Sequence, residues 1–425
     1  MTSRERVTLA LNHKEPDRVP IDLGGSFTTG IVVTTYAKLR RQLGINDTPP
    51  RVNDLLQMLA EMEMPVMEKL GCDVVSLYPR GRFFGVPPGN WKTWTTFDGT
   101  DVLVPGGFSY YVDDDGSLLI SPGGDISKRP SGRMPKDGYY FDIIVRQQPI
   151  DWDHLDPDEF AEQFTVYTDE MLAHLRTTAD SLYRNTDYAI LGSFGGGGLG
   201  DMPAVLASDI ENPKGIRNYS DWLVAHITHP EYIEGVYQRQ TEVALRNLEL
   251  YRQAVGDKIV AIFISGTDFG TQRNELISPD LYRELYFPFH KRLNDWVHQH
   301  TTWKTFYHCC GSIYHLIPHF IDAGVDILNP VQCSAANMEP ARLKREFGDK
   351  IVFWGGGVDT QRTLPFGTPD EVRAEVTDRI RTFAPGGGYV FNPIHNIQAK
   401  TPIPNILTMF DTARTTGAYP IELSR

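Results

Sequence analysis

Short apolar runs alternate with longer amphipathic segments along the chain. The run at 259–264 reads Ile-Val-Ala-Ile-Phe-Ile without a polar residue, which is typical of a strand that is covered on both faces of a parallel sheet. Further runs carry the same signal at fairly regular intervals. Together they predict strands at 19–23, 73–78, 189–194, 259–265, 303–308, 325–329, 351–354 and 388–392.

The segments between these runs carry helix signals. Ser278 is a predicted N-cap followed by a proline, and its helix is expected to run toward His300. Another helix begins at Thr368, with apolar residues at i, i+4 and i+8, and a last helix is predicted at 402–413. Alternating strands and helices indicate βα units. Eight such units predict an α/β fold of the closed (β/α)8 TIM-barrel type, with residues 1–425 as one domain.

One segment, at about 84–151, interrupts this alternation. It contains the pairs Asp98-Gly99, Asp115-Gly116 and Asp137-Gly138 among residues that favour strands. Asp-Gly between such runs is a strong hairpin signal. We therefore predict an inserted β-hairpin region after the second strand. It could form a wall or lid of an active site, since barrel sites are built from the loops that follow the strands, or it could be a peripheral addition.

Composition and charge exclude several classes of function. Lys and Arg number 41 against 54 Asp and Glu, a net charge of −13, which argues against binding to nucleic acid or to anionic membranes. No apolar stretch approaches the ~20 residues of a membrane span. The start, Met-Thr-Ser-Arg-Glu-Arg-Val, has no apolar signal core, which predicts a cytoplasmic protein. Four cysteines then indicate thiols or metal ligands, and not a disulfide framework.

The densest cluster of reactive residues follows the fifth predicted strand, in His308-Cys309-Cys310-Gly311-Ser312. His308 and Cys310 are two positions apart, so in an extended strand end they point to the same side. Imidazole and thiolate are the ligands that Zn²⁺ prefers. A third ligand could come from His395 or from Cys333, each of which follows another predicted strand. Buried thiols beside a hydrogen-bonded core histidine are the alternative.

Carboxylates stand at several predicted strand ends. Asp268 lies between Gly266 and Gly270, which leave its loop open to a ligand, and it is the preferred catalytic acid or base. Asp22 and Asp73 are further catalytic candidates, with loop capping as the alternative for both. Asp359 is a candidate to support a metal-binding histidine through a hydrogen bond.

Glycines and aromatic residues cluster near the same strand ends. Glycine runs at 195–198, 355–357 and 386–388 would let the backbone approach a flat ligand or make tight turns. Aromatic side chains there could line a pocket for a ring-shaped or methylated substrate, with ordinary barrel packing as the alternative. The predicted pocket residues are Phe27, Phe84, Phe194, Tyr307, Trp354 and Asn392, the last also a candidate for hydrogen-bond support of the site.

These motifs together resemble the uroporphyrinogen decarboxylase superfamily. The resemblance covers nearly the whole chain apart from the β-rich insertion, and it implies a (β/α)8 barrel. It is carried by Arg4-Glu5-Arg6-Val7, Asn12-His13-Lys14-Glu15-Pro16-Asp17-Arg18-Val19-Pro20, the block at 308–312, Ala323-Gly324-Val325-Asp326, Phe353-Trp354-Gly355-Gly356, Gly367-Thr368-Pro369 and Thr401-Pro402.

The superfamily contains porphyrinogen decarboxylases and zinc-dependent methyltransferases that serve corrinoid proteins. The His308/Cys310 pair resembles the methyltransferases, whose third zinc ligand is a cysteine in the last loop; here that loop carries His395. The decarboxylases also tend to have a histidine in that loop. They bind their polycarboxylate substrate through arginines in an N-terminal loop, whereas the matching stretch here, 22–30, has no basic residue, and Arg80 and Arg82 are the only nearby substitutes.

The resemblance therefore predicts a zinc-dependent methyltransferase. Zn²⁺ would be held by His308, Cys310 and His395. A methyl group would move between a small thiol, methyl ether or methylamine and a corrinoid carried by a partner protein, since the chain lacks the Asp-x-His-x-x-Gly corrinoid motif. Two alternatives stay open, a cofactor-independent tetrapyrrole decarboxylase and a non-catalytic ligand-binding barrel. Whether the chain forms a homodimer also stays open.

Overall fold

The barrel consists of parallel strands in the order of the chain. A computed structural model describes residues 1–45, 47–79 and 83–421. The strands in chain order are β1 (Val52–Asp54), β2 (Leu59–Ala60), β3 (Val74–Leu77), β4 (Lys92–Thr95), β5 (Asp101–Val104), β6 (Tyr111–Val112), β7 (Leu118–Ile120), β8 (Gly132–Met134), β9 (Asp142–Ile143), β10 (Ala189–Ser193), β11 (Ala261–Ser265), β12 (Lys304–His308), β13 (Ile327–Asn329), β14 (Val352–Trp354) and β15 (Tyr389–Val390). The main sheet has the strand order β15-β14-β13-β12-β11-β10-β3, with all neighbours parallel.

The segment at 19–23 closes the sheet into a barrel. Asp22 N–H donates to the Phe391 carbonyl at 2.8 Å on one side, and Asp73 N–H donates to the Ile21 carbonyl at 2.7 Å on the other. Pro20 has no N–H to donate, so the pairing stays short. All eight predicted strand positions thus contribute to the barrel, and the prediction of a (β/α)8 fold is confirmed.

The barrel core explains the unbroken apolar runs. All five residues of β11 are buried. Phe263 points into the barrel, where its ring stacks on Phe306 at 5.2 Å, while Ile262 and Ile264 pack outward against the helices. A strand covered on both faces has no polar side to display, which is why these runs show no alternation.

The helices follow the predicted pattern with one correction. The helix expected from Ser278 to His300 is two helices that meet at Tyr286, because Pro288 cannot continue the hydrogen-bond ladder of the first. The helices are α1 (Ser3–Leu11), α2 (Val33–Gln42), α3 (Met64–Leu70), α4 (Pro157–Ala161), α5 (Asp169–Asn185), α6 (Met202–Leu206), α7 (Tyr219–Thr228), α8 (Pro230–Val255), α9 (Pro279–Leu285), α10 (Phe287–His300), α11 (Ile317–Asp322), α12 (Pro340–Phe347), α13 (Thr363–Phe366), α14 (Pro369–Phe383) and α15 (Ile403–Thr416), with short 3-10 turns at Pro122–Gly124 and Gly256–Lys258.

The insertion after β3 is β-rich, as predicted. Strands β4 and β5 form a hairpin whose turn contains Gly99 at φ +80°, and β6 to β9 form a four-stranded antiparallel sheet. Residues of the insertion line a cavity of about 480 Å³ together with residues of α3 and α5. Among the residues of known placement, no helix is both long and apolar enough to cross a membrane.

Candidate active site

Three potential metal ligands converge at the carboxyl end of the barrel. His308 ends β12 and Cys310 follows two residues later, with His308 Nε2 and Cys310 Sγ 3.3 Å apart. His395 comes from the loop after β15, and its ring centroid lies 5.3 Å from that of His308. The ligand atoms of the three residues all lie within 4.8 Å of one another. The structure thus brings together the three residues proposed as ligands from the sequence.

This donor set fits a zinc ion. Tetrahedral zinc with nitrogen at about 2.1 Å and sulfur at about 2.3 Å separates its ligand atoms by roughly 3.4–3.8 Å, and the distance from His308 Nε2 to Cys310 Sγ is 3.3 Å. Three protein ligands also leave a fourth position for a substrate atom. Cys333, the alternative third ligand, lies elsewhere: its Sγ is 3.4 Å from the Val331 carbonyl oxygen and contacts Gly356, so it does not belong to the cluster.

Asn329, which the sequence analysis missed, orients His308. Its Oδ1 lies 2.7 Å from His308 Nδ1, and its Nδ2 donates to the Trp354 carbonyl at 2.9 Å. Because the amide nitrogen is committed to Trp354, Oδ1 is the acceptor and His308 Nδ1 carries the proton. The lone pair of Nε2 therefore faces Cys310 and His395, as a metal ligand requires. The sequence signal that could have identified Asn329 is its position as a polar residue at the end of the predicted apolar strand 325–329.

Asp268 lies beside the cluster. Its Oδ1 accepts a hydrogen bond from Cys310 N–H at 2.6 Å and lies 3.8 Å from His308 Nε2. The loops after β11 and β12 touch backbone to backbone, because a Cβ on Gly311 would lie only 2.3 Å from the carbonyl carbon of Gly270. Glycine at this contact lets Asp268 approach Cys310. The Asp268 side chain is 49% exposed, and it lines the cavity above the cluster.

Burial sets the protonation of the cluster. Desolvation lowers the pKa of His308 and of His395 to about 4, so both imidazoles are neutral near pH 7. Desolvation, together with the nearby Asp268 carboxylate, raises the pKa of the Cys310 thiol well above its usual range, and desolvation also raises the pKa of Asp268. A thiolate at this position needs a neighbouring cation, which is what a metal ion provides.

Two predicted catalytic carboxylates are corrected by the structure. Asp73 precedes β3 and therefore lies at the amino end of the barrel, where it pairs with Arg6 at 2.6 Å and Arg18 at 2.7 Å. Asp22 is fully buried and accepts hydrogen bonds from Trp354 Nε1 and Gly25 N–H. Neither carboxylate lines the cavity beside the cluster. Asp22, through Gly25 N–H, makes the loop-capping contact that was its alternative, and Asp73 is held in ion pairs with Arg6 and Arg18.

Most of the predicted pocket residues are packed elsewhere. Phe27 and Phe194 line the cavity above the cluster. Tyr307 does not, because alternation along β12 points it away from His308 toward Asn294, 3.1 Å from its hydroxyl. Phe84 packs on Phe141 within the insertion.

The remaining predicted positions are also corrections. Trp354 fills the barrel interior against Phe306. Asn392 is buried and donates to the Asp22 carbonyl at 3.0 Å. Asp359 accepts from Gln361 N–H at 2.7 Å and so caps a turn, without a contact to any of the three ligands. Support of the cluster comes from Asn329 instead.

The cavity above the cluster has a volume of about 750 Å³. His308, His395 and Asp268 form its base, and the loops after residue 23, β10 and β11 supply most of the walls. Three carboxylates line it and, within 1–45, 47–79 and 83–421, no lysine or arginine does. Arg80 and Arg82, named above as substitutes for substrate-binding arginines, lie outside the described residues. Residues 84–151 do not line this cavity. The insertion instead lines the cavity of about 480 Å³ described with the fold.

Comparisons with known proteins agree on one family. A model of the family "Uroporphyrinogen decarboxylase (URO-D)" matches residues 140–416. The uroporphyrinogen decarboxylase of Synechococcus sp. (strain CC9902) is 26% identical over 291 residues, which are 66% of this chain and 75% of that protein. The enzyme of the same name from Prochlorococcus marinus (strain NATL2A) is 24% identical over 294 residues, or 66% of this chain and 74% of that one.

A solved structure has the same fold along its whole length. It is a methyltransferase from Methanosarcina mazei, with a TM-score of 0.57 and 16% sequence identity. The match covers 98% of this chain and 99% of that one. At this identity the likeness shows the barrel fold and not the activity.

Proposed function

The chain belongs to the uroporphyrinogen decarboxylase family, and we propose that it is a zinc-dependent methyltransferase of that family, acting between a small substrate and a corrinoid protein. One observation carries the proposal. His308, Cys310 and His395 place two imidazole nitrogens and a thiol within 4.8 Å of one another beside a cavity. That the barrel resembles a structure named as a methyltransferase agrees with the proposal.

Zinc would supply Lewis acidity, either toward the heteroatom that bears the methyl group or toward an acceptor thiol whose pKa it lowers. The side chains around the ion would orient its ligands and transfer protons. Asn329 keeps the Nε2 lone pair of His308 directed at the ligand cluster. Asp268 is placed to hold or deliver a proton at a substrate heteroatom, because its carboxylate borders both the cluster and the cavity.

Aromatic rings line part of the cavity beside the cluster. The Phe194 ring lies directly under the glycine loop after β10, where a Cβ on Gly196 would be 2.5 Å from it. Phe27 packs on Phe263 at a centroid distance of 4.6 Å. These apolar walls lower the local dielectric and strengthen each charge interaction of the site.

Decarboxylation of a tetrapyrrole is the second candidate, because the curated relatives are uroporphyrinogen decarboxylases. The site favours it less. A polycarboxylate substrate needs cationic partners, whereas the charged side chains that line the described cavity are Asp201, Asp209 and Asp268.

Metal analysis of purified variants tests the proposal. We expect one equivalent of zinc in the native protein and a large loss of zinc in His308→Ala, Cys310→Ser and His395→Ala. Cys333→Ser is the matched control, since this thiol lies outside the cluster, and it should retain its zinc. A native protein that binds no zinc would contradict the proposal.

Activity assays distinguish the remaining candidate functions. Methyl transfer between methylcobalamin and a small thiol, or from a methyl ether or methylamine to cob(I)alamin, should be lost after chelation and return with added zinc. Release of CO₂ from uroporphyrinogen by chelated protein would instead establish the decarboxylase. Small-molecule binding that persists in Cys310→Ser, without turnover of any of these substrates, would indicate a non-catalytic ligand-binding barrel.

A further inference from the structure

Asn396 is a buried asparagine next to His395 in the loop after β15. It is fully buried, and both the oxygen and the nitrogen of its amide are hydrogen-bonded. Its Oδ1 accepts from Gly30 N–H at 2.5 Å, and its Nδ2 donates to the Phe27 carbonyl at 2.9 Å and to Gln57 Oε1 at 2.8 Å. One side chain thus joins the segment that carries a candidate metal ligand to residues more than 300 positions earlier in the chain.

The three partners lie in or beside one wall of the cavity above the cluster. Phe27 and Gln57 line that cavity. Phe27 and Gly30 belong to residues 24–30, which we call the wall loop. Ile397 N–H donates to the Gly30 carbonyl at 2.9 Å, so backbone pairing continues the contact that the asparagine side chain begins. The wall loop and the loop after β15 are therefore bound to each other.

The wall loop also contacts the support of the other histidine. Thr28 is buried, and its hydroxyl donates to Asn329 Oδ1 at 3.1 Å. The same oxygen lies 2.7 Å from His308 Nδ1. Ser26 Oγ lies 2.8 Å from Thr28 Oγ1, a contact that fixes this hydroxyl within the loop. One short loop is thus hydrogen-bonded both to the residue that orients His308 and to the residue next to His395.

The two histidines differ in how their rings are held. The His308 ring is hydrogen-bonded to Asn329, whereas the residues of known placement give the His395 ring no hydrogen bond. The position of His395 therefore depends on its backbone, and Asn396 is the adjoining residue whose side chain anchors that backbone. A ligand that is held loosely costs metal affinity, because the ion must then order it on binding.

We propose that Asn396 is a positioning residue that joins the metal cluster to the wall loop. Its three hydrogen bonds place His395 for the metal and at the same time hold the cavity wall. Zinc binding should therefore order the wall loop, and loosening of the wall loop should weaken zinc binding, because coupling between two sites is reciprocal. The inference rests on the proposed function in taking zinc as the ion.

Zinc affinity tests the positioning role of Asn396. Asn396→Ala removes the three hydrogen bonds, so we expect zinc to bind at least about tenfold more weakly, as measured by competition with a chromophoric chelator. The visible spectrum of the Co²⁺-loaded protein, which reports the arrangement of the ligands, should change as well.

Asn405→Ala is the matched control for this measurement. Asn405 is also buried, and its Nδ2 also donates two hydrogen bonds, in this case to the carbonyls of Leu364 and Gly367. Asn405→Ala should keep native zinc affinity and the native Co²⁺ spectrum. Native zinc affinity in Asn396→Ala, or an equal loss of affinity in Asn405→Ala, would overturn the inference.

Hydrogen exchange measures the coupling without an activity assay. In the native protein, the peptide that contains the wall loop should exchange its amides about fivefold or more slowly once zinc is bound. In the absence of metal, this peptide should exchange about fivefold or more faster in Asn396→Ala than in Asn405→Ala. Equal exchange in the two metal-free variants would overturn the inference. So would exchange in the native protein that zinc does not slow, and this second measurement needs no variant that could fail to fold.

Zinc content, measured on the same preparations, separates this inference from the proposed function. If the native protein holds no zinc but the wall loop exchanges faster in Asn396→Ala than in Asn405→Ala, the methyltransferase is contradicted and the link between the two loops is supported. A zinc protein with methyl-transfer activity in which Asn396→Ala keeps native zinc affinity would do the reverse.

Discussion

Replacement of Asn329 by leucine tests how the structure prepares His308 for a metal. Leucine has the same branched skeleton as asparagine, with methyl groups in place of the amide oxygen and nitrogen, and it removes the Oδ1 atom that lies 2.7 Å from His308 Nδ1. It also removes the hydrogen bonds to the Trp354 carbonyl and from the Thr28 hydroxyl. His308 can then turn or change tautomer, so the Nε2 lone pair no longer faces Cys310 at a fixed angle.

The size of the effect follows from these contacts. Loss of a hydrogen-bond partner that orients a metal-binding histidine typically weakens metal affinity about 10- to 100-fold. The polar groups left without partners cost a further 1–3 kcal/mol of folding stability, roughly, for each one that stays buried. We therefore expect Asn329→Leu to bind zinc at least about tenfold more weakly, as measured by competition with a chromophoric chelator.

Two further variants make the result specific. Asn405→Leu is a matched control, because Asn405 is equally buried and donates to the carbonyls of Leu364 and Gly367, far from the cluster. It should lose stability but keep native zinc affinity. Asn329→Asp keeps an acceptor for His308 Nδ1 and should bind zinc at least as tightly as the native protein. Equal zinc affinity in Asn329→Leu and Asn405→Leu would refute the assigned role.

Three other predictions follow from the same geometry. Asp268→Asn keeps the acceptor for Cys310 N–H, so zinc content should stay native while methyl transfer falls about a hundredfold or more; native activity in this variant would exclude a proton-transfer role. Asp73→Asn breaks the buried ion pairs with Arg6 and Arg18, so it should lower the free energy of unfolding, measured by urea titration, by about 3 kcal/mol. Its zinc content should be unchanged, and loss of zinc would show that this carboxylate contributes to the site after all. Burial raises the pKa of Asp22 to about 6, so between pH 4 and pH 6 the folded state holds a proton that the unfolded state releases. The free energy of unfolding should therefore fall by up to about 3 kcal/mol as the pH rises from 4 to 6. Asp22→Asn should remove that fall, and an identical pH dependence of stability in both proteins would contradict the assignment.

The spacing along one strand predicted only part of the candidate site; His395 and Asp268 were predicted from their positions after other strands, with Cys333 left open as the alternative to His395. His308 and Cys310 are two positions apart on one strand end, and the period of two along a strand is enough to place them on one side. The same period excludes Tyr307 from the cavity, although its aromatic character suggested a pocket residue. Asp73 was misplaced although it opens the predicted strand 73–78, because the start of a barrel strand lies at the amino end, opposite the rim that carries the cluster.

Two features of the fold follow from the sequence alone. Apolar runs without alternation, each followed by an amphipathic segment, determined the parallel βα units, and Asp-Gly pairs among strand-forming residues determined the β-rich insertion. These signals are local, and they depend on the periods of strands and helices. Which side chains meet at the mouth of the barrel was decided only by its closure. His395 and Asn329 reach His308 because all strands of a closed parallel sheet bring their carboxyl ends to one rim. A contact between residues so far apart along the chain leaves no periodic trace in the sequence.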